Sequence, residues 1–480
     1  MPRLIGGACL CQIPAMETLD VMHDLWRAAG LSSRALERVR LTGGEPVLPS
    51  SFRVGAAAQA SIALTGLAAS EIDRLRSGRE QTVSVDMLHA ALEFRSERLL
   101  RIDGGDAPEL WDPIAGVYQC GDGRWVRIHT NFEHHRDGVL KILNCPNDRE
   151  AVAAALKAWT AEGFETEATA KNMVVAMMRS PEEWAAHPHA AVLAGQSVIS
   201  IEKIGEAGPT PVPPAGSGDR PLSGLRVLDL TRIIAGPTGG RALAAHGATV
   251  MRIGSPNLPV VPVLVMETGR GKLAANLDLD TSAGKAGLDR LLGDADVFIQ
   301  GYRPGGLADR GFASAQVAER KPGIVYVSLS AYGEDGPWGG KRGFDSLVQT
   351  ATGINAAEAT AVGSTQPKAL PCQALDHASG YFVAFGAMAA LMRRAREGGS
   401  WHVKISLART GQWLRELGRL EDGFSCPEPS EDQIRPFLTV SDSGFGALTH
   451  VTHAGQLSQT PPRWDLPAVP IGTHAPVWPD

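Results

Sequence analysis

One carboxylate in this sequence has the surroundings of a residue that could do covalent chemistry. Asp376 lies just before a long apolar run in the stretch PCQALDHASGYFVAFGAMAAL, which begins at Pro371. An aspartate in this place can accept hydrogen bonds from the first free N–H groups of a helix and so form its N-terminal cap. The same carboxylate can also attack an activated acyl group as a nucleophile. The local sequence favours the cap and leaves the nucleophile open.

Basic residues recur at predicted turns in the second half of the chain. Arg252 closes the segment ATVMRI, Arg270 and Lys272 flank a glycine in GRGK, and Arg303 follows a predicted strand in GYRPGG. A glycine in a turn lets the backbone approach a phosphate while neighbouring cations clamp it. Each turn alone is a weak signal, because solvated basic turns are common. Together the three turns predict a polyphosphate site.

Two other kinds of site are not supported by the motifs. The turn IIAGPTGG lacks the pattern G-x-G-x-x-G, and the strand after it ends in MRIGSP without the acidic residue that NAD requires. The histidine pairs His134 with His135 and His187 with His189 have no glutamate or cysteine at ligand spacing, so we expect surface or core histidines and no metal.

The elements that must position these residues alternate in the second half. The segments RVLDL, ATVMRI, ADVFIQGY and GIVYVSLSAYG have the pattern of buried strands, and helical segments separate them. This alternation predicts a doubly wound parallel-sheet α/β domain of nucleotide-binding type, with its ligand at the carboxyl ends of the strands. The first half mixes helices with short strands and predicts a smaller α+β domain.

A repeat links the two halves. Residues 54–95 laid over residues 374–415 at a constant offset of 320 show eight identities. Both copies have an apolar helix with a basic end, a glycine stop and an alternating strand. The offset places Ala56 opposite Asp376. The first copy therefore lacks the carboxylate. This loss is compatible with either role for Asp376, the helix cap or the nucleophile.

Bulk properties exclude several classes of function. The chain has 480 residues, enough for two or more domains, and a formal net charge of −6, which gives no bulk reason to bind nucleic acid or an anionic membrane. No signal peptide is evident, and no apolar run reaches ~20 residues. We expect a cytoplasmic protein with reduced thiols, because six cysteines are too few for a disulfide framework: Cys9, Cys11, Cys120, Cys145, Cys372 and Cys426.

Several stretches taken in order resemble family III CoA-transferases, the group of formyl-CoA transferase, carnitine CoA-transferase and 2-methylacyl-CoA racemase. The matching stretches are PLSGLRVLDLTRIIAGP, GRGK, DADVFIQGYRPG, IVYVSLSAYGEDGPWGGKRGFD and ALDHASGYFVAFGAMAAL. The first half resembles a different part of the same family, and GALTHVTHAGQLSQTPPRWDLPAVPIGTHAP resembles its closing tail. The chain is thus similar to a fused and trimmed two-copy form.

The resemblance implies a division of the chain into four parts. Residues 1–204 correspond to a partial half with a helical segment, a small domain and a return segment, and residues 205–221 form a Pro/Gly linker. Residues 222–415 correspond to a Rossmann-like CoA-binding domain, and residues 416–480 to a return tail. Since family members form dimers of interlocked rings, the resemblance implies intertwined halves, either as an intramolecular pseudo-dimer or in a homodimer.

The resemblance also implies a reaction. Asp376 would attack an acyl-CoA thioester and give a mixed anhydride, and the released CoA would convert this into an aspartyl-CoA thioester for transfer to a carboxylic acid acceptor. We expect the helix N-terminus to hold the carboxylate ionised. The family's contacts with coenzyme A fall on Ile234, Ala235, Arg252, Arg270, Lys272, Tyr302 and Arg303.

The sequence departs from the family pattern at several positions. Gly254, Gly269 and Gly301 replace an acidic residue and two asparagines in the CoA-contacting motifs. Phe344 stands where the racemases have a histidine base, so a transferase is favoured over an acyl-CoA racemase or isomerase. A degenerate CoA-binding subunit without turnover is the remaining alternative.

Overall fold

A computed structural model describes residues 17–479. Cys9, Cys11 and the opening segment, on which the expectation of no signal peptide rests, lie outside the described residues. Within the part that is described, every helix is too short or too polar to cross a membrane.

The first part of the chain alternates helices with short strands. Its helices are α1 (Thr18–Ala28), α2 (Val54–Ser77), α3 (Met87–Glu93), α4 (Glu133–Leu143), α5 (Arg149–Leu156), α6 (Ala161–Ala170), α7 (Pro181–Ala185) and α8 (Pro188–Ala194). Its strands are β1 (Val39–Thr42), β2 (Val83–Asp86), β3 (Arg101–Ile102), β4 (Gly105–Asp106), β5 (Gly116–Gln119), β6 (Trp125–Ile128), β7 (Val175–Met177) and β8 (Ser200–Gly205). Residues 206–221 contain no helix or strand.

The second part begins with regular βα units. Its strands are β9 (Arg226–Leu230), β10 (Thr249–Gly254), β11 (Lys272–Asn276), β12 (Val297–Gln300), β13 (Val325–Ser330), β14 (Ser400–Ser406), β15 (Leu438–Ser441), β16 (Leu448–Val451) and β17 (Gln456–Leu457). Its helices are α9 (Ala235–Ala245), α10 (Pro262–Thr268), α11 (Ser282–Gly293), α12 (Ser314–Arg320), α13 (Asp345–Ala351), α14 (Ile354–Ala361), α15 (Ala374–Glu397), α16 (Leu407–Glu416) and α17 (Glu431–Ile434).

The largest sheet has seven strands in the order β11-β10-β9-β12-β13-β14-β8. The first six are parallel, and β8 from the first half is antiparallel at the edge. The central strands are buried on both faces by flanking helices, which explains their largely apolar sequences. The strand order reverses between β9 and β12, as in doubly wound folds. The predicted α/β fold is confirmed.

The smaller α+β part has its own core. Strands β5, β6 and β7 form an antiparallel sheet, and α4, α5 and α6 pack against it around Tyr118, Val126 and Phe164. We call residues 114–177 the small unit.

The two halves are interleaved at the other sheets. Strand β17 pairs with β2, and β16 pairs with β3, so the C-terminal tail completes sheets begun in the first half. Together with β8 at the edge of the large sheet, this exchange makes the halves mutually dependent, as the prediction of intertwined halves requires.

The internal repeat is present in the structure. Helices α2 and α15 both have 24 residues and start 320 positions apart. After each comes a strand and a short helix, capped by Asp86 in the first copy and by Ser406 in the second. The long helices touch, and the Thr65 hydroxyl donates to the Tyr381 carbonyl at 2.9 Å.

Candidate functional site

A cavity of about 490 Å³ lies at the carboxyl ends of the parallel strands. Five of the six parallel strands contribute a lining residue at or directly after their last position: Leu230, Ser255, Gly301, Ala331 and Leu407. Strand β11 contributes Asp278, two positions after its end. Doubly wound folds bind ligands at this edge, where the strand order reverses. The small unit closes one side with Phe132, His134 and His135.

Asp376 lines this cavity as the third residue of α15, and it is 6% exposed. The cap of the helix is a different residue. The backbone N–H groups of Leu375 and Asp376 donate to Asp345 Oδ2 at 2.8 and 2.9 Å. Among residues 17–479, no group donates a hydrogen bond to the Asp376 carboxylate. Because Asp345 satisfies the helix end, Asp376 is not needed as a cap.

The electrostatic environment opposes ionisation of Asp376. Burial, followed by the neighbouring Asp345 and Glu97, raises the pKa of Asp376 well above its usual range. Burial also raises the pKa of Asp345 to about 6. The expectation that the helix N-terminus holds Asp376 ionised is therefore wrong. The first N–H groups point at Asp345, whose own negative charge offsets the positive helix end.

Glu97 brings the first half of the chain to this site. Its carboxylate is 4% exposed and accepts a hydrogen bond from His377 Nε2 at 3.0 Å, one residue beyond Asp376. Burial opposes ionisation of Glu97, but the hydrogen bond and the charge of His377 lower the Glu97 pKa below its ordinary value. A charge from the first half of the chain therefore acts on the carboxylate in the second half.

Glu97→Gln is expected to lower the pKa of Asp376, because it removes one of the two negative charges that raise it. If the reaction needs ionised Asp376, the acid limb of its pH–rate profile should move to lower pH. The measurement is a pH–rate profile of wild type and variant, with the melting temperature at each pH as a control for folding. An unchanged acid limb in a folded variant would mean that Glu97 does not act on Asp376.

The cavity lining also contains five arginine or lysine side chains, two of which are paired with carboxylates. Arg310 is neutralised by Asp280 at 2.7 Å, and Lys341 by Glu165 at 2.8 Å. Arginines and lysines bound in this way contribute little net charge to a ligand. The remaining cations decide what the cavity attracts.

Three guanidinium groups have no carboxylate partner among residues 17–479: Arg232, Arg303 and Arg342. Arg232 lies 4.9 Å from the Phe132 ring centre, and Arg303 donates to Asn172 Oδ1 at 3.3 Å. Their combined charge and planar donor sets suit phosphate or carboxylate groups.

Four residues that the resemblance assigned to the site line the cavity: Ala235, Tyr302, Arg303 and Asp376. Ile234 does not line it and packs in an apolar cluster beneath it. Arg252 points from the interior of β10 into a separate void of about 10 Å³, where its Nη1 has no hydrogen-bond partner among the described residues.

Arg270 and Lys272 lie away from the cavity. The turn GRGK comes before β11, so these residues are at the amino end of that strand, and the cavity is at its carboxyl end. Lys272 Nζ pairs with Asp229 at 2.8 Å, and Arg270 pairs with Glu267 at 2.7 Å. The sequence-based convergence of three basic turns on one phosphate site is therefore wrong for this turn, whose charges form buried internal pairs.

Sequence reasoning missed several cavity cations. Arg232, Lys341 and Arg342 lie within the motifs TRIIAGP and GGKRGFD, but their neighbours in sequence do not mark them as ligands. His134 is exposed and His135 is buried, as expected for surface and core histidines, and both also line the cavity. The signal that could have indicated Arg232 as a ligand is its position in the first βα turn, after the end of β9.

The family model and the named relatives point to the same family. The model of CoA-transferase family III matches residues 38–216 and 222–432. An acyl-CoA transferase of Gibberella moniliformis is 29% identical, over 89% of this chain and 88% of the relative. A probable CoA-transferase of Mycobacterium tuberculosis is 36% identical, over 80% of this chain but only 58% of the relative.

A solved structure of a hypothetical protein from Mycobacterium tuberculosis is 32% identical over 41% of this chain and 57% of that chain, with a TM-score of 0.38. The chain thus spans little more than half the length of two of these three proteins. The family model covers most of the sequence in two successive matches, of which the first extends into the linker and the second begins directly after it. On that evidence, the chain belongs to CoA-transferase family III.

Proposed function

We propose that this protein transfers coenzyme A between an acyl-CoA donor and a carboxylic acid acceptor, with Asp376 as the nucleophile. The observation that carries the proposal is the shared cavity. Within residues 17–479, the Asp376 carboxylate has no hydrogen-bond donor, and it faces the same space as three arginines that have no carboxylate partner there. A reactive group and an anion-binding wall are the two parts that a phosphorylated thioester substrate requires.

The steps exchange one acyl bond at a time. An Asp376 oxygen attacks the thioester carbonyl, the C–S bond breaks, and the CoA thiolate leaves an acyl-aspartyl anhydride. The thiolate then attacks the Asp376 carboxyl carbon and releases the donor acid, which leaves an aspartyl-CoA thioester. The acceptor carboxylate attacks this thioester, and the thiolate attacks the new anhydride at the acceptor carbonyl, which restores Asp376. No net proton is consumed, and the bonds formed match those broken.

The raised pKa of Asp376 fits this role. A carboxylate that is destabilised as an anion is a stronger nucleophile once it is ionised. Both covalent intermediates leave Asp376 uncharged, so acylation removes the repulsion from Asp345 and Glu97. Burial that disfavours the free anion therefore favours the acylated forms.

We assign the anionic part of coenzyme A to the arginine side of the cavity. Arg303 and Arg342 would bind phosphate oxygens, while Ala235 and Tyr302 would contact the nucleotide from the first and fourth βα turns. Lys272 would act indirectly, because its Nζ donates to the Pro237 carbonyl at 2.7 Å and so holds the start of α9.

The test is mass spectrometry after incubation with a panel of acyl-CoA thioesters and a hydroxylamine quench. Hydroxylamine converts an aspartyl thioester or anhydride into a hydroxamate, which we expect on the peptide that contains Asp376. The thioesters that produce it would identify the donor class. Binding of CoA without any hydroxamate across the panel would instead favour a CoA-binding subunit without turnover.

A further inference from the structure

Residues 341–345, which we call the wall segment, connect the cavity to Asp376. Lys341, Arg342 and Phe344 line the cavity, and Asp345 accepts the N–H of Asp376. The segment follows the loop after β13 and ends as α13 begins. Its placement therefore sets both the charge of the cavity wall and the position of the residue that caps α15.

The small unit holds this segment at three side chains. Glu165 accepts a hydrogen bond from Lys341 Nζ at 2.8 Å, and His135 Nε2 accepts one from Arg342 Nη1 at 3.1 Å. Phe344 stacks on His129, with ring centres 3.9 Å apart and planes 9° apart. Glu165, His135 and His129 belong to α6, α4 and the end of β6, so the small unit contacts the wall segment along its length.

Glu165 is the most constrained of the anchors. It is 4% exposed and binds a second cation, because Arg179 donates to it at 2.6 and 3.3 Å. Both cations lie against one indole, with Lys341 Nζ 4.0 Å and the Arg179 guanidinium 5.0 Å from the Trp338 ring centre. Such a buried pair keeps its geometry because a partner left alone would be an uncompensated buried charge.

Lys341 is therefore part of the cavity wall but does not offer its charge to a ligand. If Glu165 were neutral, the ammonium would be an uncompensated buried charge in the cavity wall beside Arg342. Its displacement would move the wall segment and change the position of Phe344 and Asp345.

We propose, in an inference that rests on the proposed function, that Glu165 is a positioning residue for CoA transfer. It holds Lys341 away from the substrate, leaves Arg342 as the ligand-facing cation of the segment, and fixes Asp345 against the start of α15. The small unit, encoded in the first half of the chain, thereby controls the geometry of the nucleophile in the second half.

The experiment uses the full chain with Glu165→Gln, which keeps the shape and removes the charge. We expect kcat to fall about tenfold or more with a smaller change in KM, because the defect lies in alignment. Burial lowers the pKa of Lys341 and Glu165 opposes that shift, so the variant should also gain a new ionisation on the alkaline side of its pH–rate profile. Glu167→Gln on the same helix, which breaks only the exposed pair with Lys171, is the matched control.

A second substitution separates positioning from plain structural support. Lys341→Met in the Glu165→Gln background removes the unpaired ammonium and should restore most of kcat and the wild-type alkaline limb. If the double variant is instead as impaired as the sum of the two single variants, Glu165 has only a structural role and the proposal is overturned. Wild-type kcat and pH profile in folded Glu165→Gln would overturn it as well.

Glu165→Asp covers the case in which Glu165→Gln does not fold. The shorter carboxylate keeps its charge for Arg179 but withdraws from Lys341, and the same fall in kcat is expected; an unchanged kcat would count against the proposal. Failure of the proposed function is recognised separately, because it would appear as absence of the Asp376 hydroxamate in the wild-type protein.

Discussion

Asp376→Asn is expected to abolish CoA exchange, with kcat falling by about 10³-fold or more, while the protein remains folded. An amide cannot attack the thioester or leave from the anhydride, so no covalent intermediate can form. The measurement is steady-state exchange activity together with the hydroxamate assay, which should give no adduct. A folded variant with full activity would exclude Asp376 as the nucleophile.

The same variant is expected to be more stable than wild type above pH 6. Burial raises the pKa of Asp376 and of Asp345, so the folded protein binds more protons than the unfolded chain above the ordinary range of a carboxyl group. The free energy of unfolding of the wild type therefore falls as pH rises from about 4 through 6 and beyond. Asparagine removes this penalty, and urea unfolding at pH 5 and pH 8 should show a gain that grows with pH.

Asp86→Ala is the matched control, because Asp86 is a true helix cap whose carboxylate accepts the His89 N–H at 3.1 Å. It should lose about 1 kcal/mol of stability and keep its activity. If Asp376→Asn behaved like this control, losing stability and keeping activity, Asp376 would be a structural residue.

Arg303→Ala and Arg342→Ala are each expected to raise the dissociation constant for coenzyme A by about tenfold to a hundredfold. Each guanidinium faces the cavity without a carboxylate partner in the described part of the chain, so its removal deletes a charge-assisted contact with phosphate and leaves no buried anion behind. Titration calorimetry with coenzyme A, repeated at two salt concentrations, measures the loss. The melting temperature should change little.

Lys272→Met gives the opposite expectation and tests the site that the sequence motifs implied. This lysine pairs with the buried Asp229, so the substitution leaves an uncompensated carboxylate and should lower stability by several kcal/mol. Affinity for coenzyme A should change far less than in the arginine variants. A large loss of affinity without loss of stability would restore Lys272 to the binding site.

The fold was predictable because its signals are local. Strands such as RVLDL and GIVYVSL are buried on both faces, and their largely apolar pattern can be recognised without knowledge of the neighbouring strands. The repeat was visible for the same reason, since the helix stop at Gly78 and Gly398 and the following strand recur at one spacing. The order of the six parallel strands follows from the way βα units wind from a central switch point.

The site was only partly predictable, because some of its expected basic side chains form ion pairs with buried carboxylates in the folded protein. The motif GRGK has the composition of a phosphate turn, yet Arg270 pairs with Glu267 and Lys272 with Asp229. Arg232 and Arg342 have no such partner among the residues that the structure describes, although nothing beside them in sequence distinguishes them. A cation is available to a ligand only where the structure leaves it unpaired.

The sequence by itself determined the α/β architecture, the repeat, the family resemblance and the carboxylate at position 376, because each depends on spacing along the chain. Only the tertiary structure decided that Asp345 caps the helix in place of Asp376, that Glu97 raises the pKa of Asp376, and that Glu165 holds Lys341. These residues are 31, 279 and 176 positions from their partners. Solvent exclusion at the end of α15 gives those distant charges their influence, and neither burial nor proximity is written in local sequence.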